Sequence, residues 1–230
     1  MAKKEMVQNM FNNIAPKYDL LNHLLSAGID KGWRRKVRRA LAAGHPETIL
    51  DVATGTGDLA IELAKLPNTR IIGIDIAEDM LKIGRKKIEK KGLTQRITLE
   101  PGDSENIRFA DNTFDAITVA FGVRNYENLE KGLREMYRVL KPGKKTAILE
   151  FSKPAAFPMK NLYQFYFNHI LPAIGRMVSK DPMAYTYLPE SVARFPEKNA
   201  FLEVLKKTGF KNPTQKRLTF GIATLYVAEK

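Results

Sequence analysis

From residue 48 onward, short β-branched runs alternate with segments whose apolar residues recur every three or four positions. TILDVA (48–53), TRIIGIDIA (69–77), RITLEPGD (96–103), FDAITVAF (114–121) and KTAILEF (145–151) read as strands. DLAIELAKL (58–66), EDMLKIGRKKIEKKG (78–92) and NLEKGLREMYRVL (128–140) read as helices, the last ended by Lys141-Pro142-Gly143. Such alternation specifies a parallel sheet covered on both faces. The rhythm breaks after a helix at NAFLEVLKKTG (199–209). Two strand-like runs follow, NPTQKRLT and GIATLYVAE, too close together for a helical crossover, so they must pair antiparallel. The expected fold class is α/β: an open, mostly parallel sheet with an antiparallel C-terminal strand.

The flanks are less regular. Residues 1–45 form a helical cap of three short helices, VQNMFNNI, YDLLNHLLS and GWRRKVRRALAAG, with Gly44 and Pro46 closing the last. Residues 46–151 are the α/β core, and 199–230 the C-terminal helix and hairpin. Between them, 152–198 reads as neither strand nor regular helix, yet the stretch from Phe151 to Pro196 carries nine of the 21 aromatic residues. An insertion this apolar must cover either the core or a greasy ligand, and with the core already supplied by the sheet it is expected to be a substrate lid. All of this is expected to make one domain, 1–230.

Composition removes several classes of function. Hydrophobic residues at 44% and charged ones at 27% suit a soluble globular chain. With zero cysteines there is no thiolate nucleophile, disulfide or Cys-type metal site. His23, His45 and His169 show no ligand spacing, so no metal is expected. The start, MAKKEMVQNM, lacks a signal peptide's apolar core, and no run nears the roughly 20 apolar residues of a membrane span. A cytoplasmic protein is expected. The net charge of +13 favours an anionic partner without choosing among nucleic acid, membrane and ligand. Its densest patch, Lys31 to Arg39, holds six basic residues in nine, with Trp33 and Val37 four apart among the cations. That spacing fits either a membrane-surface helix or a solvated helix packing its Trp on the core.

Open α/β sheets bind ligands beyond the carboxyl ends of their strands. The first strand here runs into Asp51-Val52-Ala53-Thr54-Gly55-Thr56-Gly57-Asp58. Gly55 and Gly57 permit a sharp turn and bring backbone N–H groups close to a ligand at a helix start. Asp75 ends the second strand, 20 residues after Gly55, where a carboxylate can accept from ribose hydroxyls. Gly55-x-Gly57-x-x-Ala60 also satisfies a dinucleotide fingerprint. However, a pyrophosphate wants a helix start free of negative charge, and Asp51 and Asp58 bracket this turn. A sulfonium cofactor with an α-amino group tolerates them. Asp103 and Ser104, in Pro101-Gly102-Asp103-Ser104, close the third strand where an adenine amino group could be held.

This ordered set, with Arg138-Val139-Leu140-Lys141-Pro142-Gly143 before the fifth strand, resembles the Rossmann-like class I S-adenosylmethionine-dependent methyltransferases over residues 46–230. Ala53 departs from the further glycine that many members have. Tyr18-Asp19-Leu20-Leu21-Asn22-His23-Leu24-Leu25-Ser26 with Trp33-Arg34, Phe121-Gly122-Val123-Arg124-Asn125, and Glu150-Phe151-Ser152-Lys153-Pro154 look like the ubiquinone/menaquinone C-methyltransferase family. Asp30 and Lys144 depart from that pattern, both at expected surface turns.

The resemblance implies S-adenosyl-L-methionine as cofactor, held by Thr54, Gly55, Gly57, Asp75, Asp103 and Ser104. It implies carbon methylation of a prenylated quinol, demethylmenaquinol to menaquinol, with the ubiquinone branch as the alternative. Arg124 is the expected catalytic residue, its guanidinium stabilising a phenolate. Asn125, Tyr18, Tyr166 and His169 are expected on the substrate side. An RNA methyltransferase would suit the charge. Carbon-5 pyrimidine chemistry normally needs a cysteine, though, and exocyclic amine chemistry an Asn/Asp-Pro-Pro-aromatic loop, and both are missing. No nucleic-acid partner is therefore expected. Peripheral contact with an anionic membrane at its inner face is, and a homo-oligomer stays open.

Overall fold

The computed structural model describes residues 3–25, 28–165 and 183–230. Its centre is a seven-stranded sheet of order β3-β2-β1-β4-β5-β7-β6. The strands are β1 (Thr48–Val52), β2 (Arg70–Asp75), β3 (Ile97–Pro101), β4 (Phe114–Ala120), β5 (Leu140–Phe151), β6 (Lys211–Leu218) and β7 (Ala223–Glu229). β1 to β5 are mutually parallel, and β7 inserts antiparallel between β5 and β6. The expected sheet and its C-terminal reversal are both present. β5 starts earlier than its β-branched run, because Leu140 pairs with Phe114 before a bulge takes up the Pro-Gly turn.

Period-two alternation sorts each strand's side chains to two cores. Ile49, Ile71, Ala116 and Leu149 face the helices α2 (Ile29–Ala42), α3 (Asp58–Leu63) and α4 (Glu78–Lys90). Leu50, Ile117 and Ile148 face α5 (Leu129–Val139) and the helix Asn199–Lys207. A one-residue register slip would exchange the two sets, so the sequence fixes the pairing strongly. Truncating one fully buried member such as Leu133 costs about 2–5 kcal/mol.

The cap differs from expectation. α1 (Lys3–Leu25) is one helix with Pro16 inside it, not two. Proline removes one helical hydrogen bond, but packing on both sides of it compensates. Val7 and Met10 pack with Tyr187, and Ala15 packs on Ala77 and Met80. In α2, Trp33 and Val37 are buried in the core, so the apolar stripe of the basic patch serves the fold. Asp30 is not at a surface turn; it is buried and ion-paired with Arg34 one turn later.

The described part of residues 152–198 is also more regular than expected. Among the described ones, α6 (Met159–Phe165) and α7 (Met183–Arg194) are helices, and the Asn199–Lys207 helix becomes α8. α7 holds an internal Pro189, which obscures its period in the sequence. It packs against α1 through Tyr187.

Candidate active site

A cleft opens at the carboxyl edge of β1, β2 and β4, enclosing about 690 Å³, part of it open solvent. Its floor is the turn after β1. Gly55 and Gly57 adopt φ of +56° and +77°, as the turn requires, and Ala53 adopts +53° despite its Cβ. Gly122 accommodates that Cβ: a methyl group there would lie 2.5 Å from it. The glycine at 122 and the alanine at 53 are thus one packing arrangement.

Asp75 anchors the turn. Its Oδ2 accepts the Gly55 N–H at 2.8 Å and its Oδ1 accepts the Ala77 N–H at 2.9 Å. Burial raises its carboxyl above the usual carboxylate range while the amides pull it back. Each oxygen keeps a lone pair for a ligand hydroxyl, and Asp75 lines the cleft. Asp103 and Ser104 line it too. Asp103 Oδ1 accepts the Glu105 N–H at 2.9 Å, which shapes the loop.

A second hollow of about 380 Å³ continues behind Gly55, lined by Thr54, Thr56, Asp51, Asp58 and Arg34 among others. Tyr18, Ala53, Ala120 and Phe121 border both spaces. Asp51 is fully buried, with Thr54 and Thr118 hydroxyls donating to its oxygens at 2.6 and 2.7 Å. Desolvation pushes its pKa up to about 6. Arg34 reaches Asp58 at 3.4 Å. The hollow therefore offers carboxylates for an ammonium and a guanidinium for a carboxylate. α1 closes its outer side: Asp19 accepts from Thr56 at 2.6 Å and pairs with Lys87 at 2.7 Å.

The expected substrate residues divide. Tyr18 and Asn125 line the cleft. Asn125 Oδ1 is buried without a hydrogen-bond partner. Arg124 is not among the lining residues; its side chain is only 7% exposed and its Nη1 lies 2.9 Å from Oε1 of Glu150, which is fully buried. The guanidinium also donates to the Phe121 carbonyl and to Ser191 Oγ, and stacks 5.4 Å from the Phe151 ring centroid. Tyr166 and His169 lie outside the described residues. The cleft also uses residues that sequence reasoning missed: Lys4, Val7 and Phe11 of α1, with Met80, Tyr126 and Phe121 opposite. Their signal was available. Val7, Phe11, Ala15 and Tyr18 share one helical face once α1 is read through Pro16.

A glycine turn on β1, an acid ending β2 and an acid after β3, on a sheet with this strand order, define a Rossmann-like methyltransferase fold. Solved structures agree. The chain is similar to an S-adenosyl-L-methionine-dependent methyltransferase of Methanococcus maripaludis (TM-score 0.65, 24% identity, 94% of this chain and 91% of that one). It is more similar still in fold to the [4+2]-cyclase SpnF (TM-score 0.71, 17% identity, 99% and 96%), so the fold alone leaves the reaction open. Sequence closes that gap. Residues 1–230 match the ubiE/COQ5 methyltransferase family, and the chain belongs to it. It is 50% identical over 229 residues to the demethylmenaquinone methyltransferase of Bacteroides fragilis, covering 99% of this chain and 94% of that protein. It is 47% identical over 230 residues to the ubiquinone/menaquinone biosynthesis C-methyltransferase UbiE of Geotalea daltonii (99% and 97%).

Proposed function

We propose that this protein methylates a ring carbon of a prenylated quinol, converting demethylmenaquinol to menaquinol, with S-adenosyl-L-methionine as methyl donor. The observation that carries the reading is Asn125, a residue of the cleft lining whose Oδ1 is a buried acceptor without a partner. Burying an unpaired amide oxygen is costly, about 1–3 kcal/mol, and a ring hydroxyl would satisfy it. Full-length likeness to a demethylmenaquinone methyltransferase supports the same substrate class.

The donor set fits the cofactor. Asp75 and Asp103 are acceptors for ribose and adenine, and the hollow behind Gly55 matches both charges of an amino-acid end. When bound, the cofactor supplies an electrophilic methyl group. The chain's own task is alignment. Asn125 accepts from the ring hydroxyl and turns the adjacent carbon toward the glycine turn, and Tyr18 and Phe121 hold the ring flat between the two spaces. Holding reactants in line contributes up to about 7–11 kcal/mol to lowering a barrier of this kind. Arg124 acts in this reading as a positioning residue, fixing Phe121 and the Val123–Asn125 turn against Glu150.

Incubating the protein with labelled cofactor and extracted demethylated quinols, then weighing the lipid product, tests the reading. Label on a demethylubiquinol alone would move the substrate to that branch, and label on RNA would overturn the proposal. Because a prenylated ring resides in a bilayer, this reading would have the protein work at the inner membrane face as a peripheral partner. Among the described residues no helix is long and apolar enough to cross a membrane.

A further inference from the structure

The parallel strands, the β6–β7 turn and the segment after β5 all meet at one edge of the sheet. Phe151 pairs with Ala223, and Ala223 with Leu218, so the turn Thr219–Gly221 leaves the same carboxyl edge as the cleft. Its tip is unusual. Thr219, Phe220 and Gly221 are all left-handed, with φ of +46°, +55° and +95°. Phe220 is an aromatic in that strained region and is 78% exposed. Strain and exposure both oppose folding in water, so the ring is held out for an external contact.

More apolar surface adjoins it. Ser152 Oγ donates to the Gly221 carbonyl at 2.8 Å, and a Cβ at Gly221 would lie 3.6 Å from Pro154 Cα. Three residues after Pro154 stands Phe157, 82% exposed, and then Leu162 of α6, 59% exposed. Exposed cations frame this ridge. Arg217 Cδ would be 3.8 Å from the same Cβ, Lys216 precedes Arg217 in β6, and Lys153 follows the Ser152 that holds the turn. Among the described residues none of the three cations is ion-paired. Behind the tip, Trp33 Nε1 donates to Thr219 Oγ1 at 2.8 Å, and the Trp33 ring lies 5.9 Å from that of Phe121, a wall of the cleft.

We propose that Phe220, Phe157 and Leu162, framed by Lys153, Lys216 and Arg217, form the face on which the protein docks to an anionic lipid bilayer, one aromatic layer from the cleft. Aromatic tips enter the headgroup region while cations meet lipid phosphates. This surface replaces the α2 patch as the membrane contact, since the apolar side of α2 is buried. The proposal rests on the prenylated-quinol reading for its purpose, and on exposure and charge for its location.

The test is sedimentation with vesicles of phosphatidylcholine, with and without phosphatidylglycerol, at several salt concentrations. The wild-type protein should bind the anionic vesicles and release as salt rises. Phe220→Asn keeps a left-handed residue at the turn and should fold. Combined with Phe157→Ser it should weaken partitioning by about tenfold, slow turnover of a long-tailed quinol in vesicles and leave a short-tailed soluble analogue unaffected. Lys153→Gln with Arg217→Gln should remove the anionic-lipid preference without touching the turn. A wild-type protein that ignores vesicles, or variants that bind like wild type, would overturn the proposal. So would a concentration-dependent dimer abolished by the aromatic variants but indifferent to lipid, which would give the face to a second copy. Vesicle binding with no methyl transfer to either quinol would sink the substrate reading and leave the docking face standing.

Discussion

Lys4 Nζ lies 2.7 Å from Asp103 Oδ2 and 3.8 Å from Glu105 Oε2, so the first turn of α1 rests on two acids of the cleft lining. The other Asp103 oxygen is already engaged with a backbone N–H. Gln8 extends the same cover, donating to the Ile76 carbonyl at 2.6 Å. An adenine amino group that uses Asp103 must share it with this lysine or displace it.

Replacing Lys4 by Met therefore frees a carboxylate. The two partners are about one-third exposed, and such pairs contribute about 1 kcal/mol at most. Cofactor affinity should rise by up to about fivefold at low salt, with the gain shrinking as salt screens the pair. Titration calorimetry reads this directly. Weaker binding in the variant would mean that Lys4 itself contacts the cofactor.

Asp75 anchors the glycine turn and is proposed to hold the cofactor, and a single substitution should expose both functions. An amide in its place cannot accept from both Gly55 and Ala77 without turning one N–H onto an NH₂ group. Asp75→Asn should lose about 1–3 kcal/mol of stability even without ligand, and more than tenfold in cofactor affinity. Urea unfolding and calorimetry measure the two separately. Unchanged stability would confine Asp75 to ligand binding.

The part of this site carried by short-range pattern was legible in the sequence. Gly55, Asp75, Asp103 and Ser104 line the cleft from strand ends, where residue type and topology coincide, whereas Gly57 shapes the turn without lining it. Asp30, Arg124 and α1 were harder because their roles depend on distant partners. Asp30 and Arg34 stand only one turn apart, but nothing local reveals that the rest of the fold buries the pair, and nothing near Arg124 announces Glu150, 26 residues away. Pro16 reads locally as a helix break. Only the packing of Ala15 against Ala77 and Met80 shows why the helix continues. The basic patch left two readings open for the same reason, since the face it turns inward is decided by the sheet.

The Arg124–Glu150 pair yields a third expectation. Glu150 is fully buried, and burial raises its carboxyl while the guanidinium lowers it. Arg124→Met would strand that charge and cost about 3–5 kcal/mol, whereas pairing it with Glu150→Leu should recover much of the loss. Arg124→Lys keeps the charge but loses the fork that reaches Phe121 and Ser191. It should lower turnover modestly, together with thermal stability. A large fall in turnover with stability and cofactor affinity intact would instead put Arg124 on the reacting ring.

Asp51 should make the site sensitive to pH. Its folded pKa of about 6 stands above the ordinary 3.8, chiefly through desolvation, with the Thr54 and Thr118 hydroxyls opposing. Below pH 3.8 the group is protonated folded and unfolded, and its contribution to stability is fully present. As pH rises toward about 6 the unfolded chain releases the proton first, so that contribution is lost across this window. The gap of about 2 pH units corresponds to about 3 kcal/mol at most. An ammonium group in the adjoining hollow reverses the balance, because it favours the charged carboxylate. Cofactor binding should thus weaken as pH falls below about 6, and calorimetry in buffers of different ionisation enthalpy should show a proton released on binding near that pH. Asp51→Asn should flatten both the stability profile and the binding profile over the same window. If the variant keeps the wild-type slope in both, another carboxyl governs the response, and Asp58 is the next to replace.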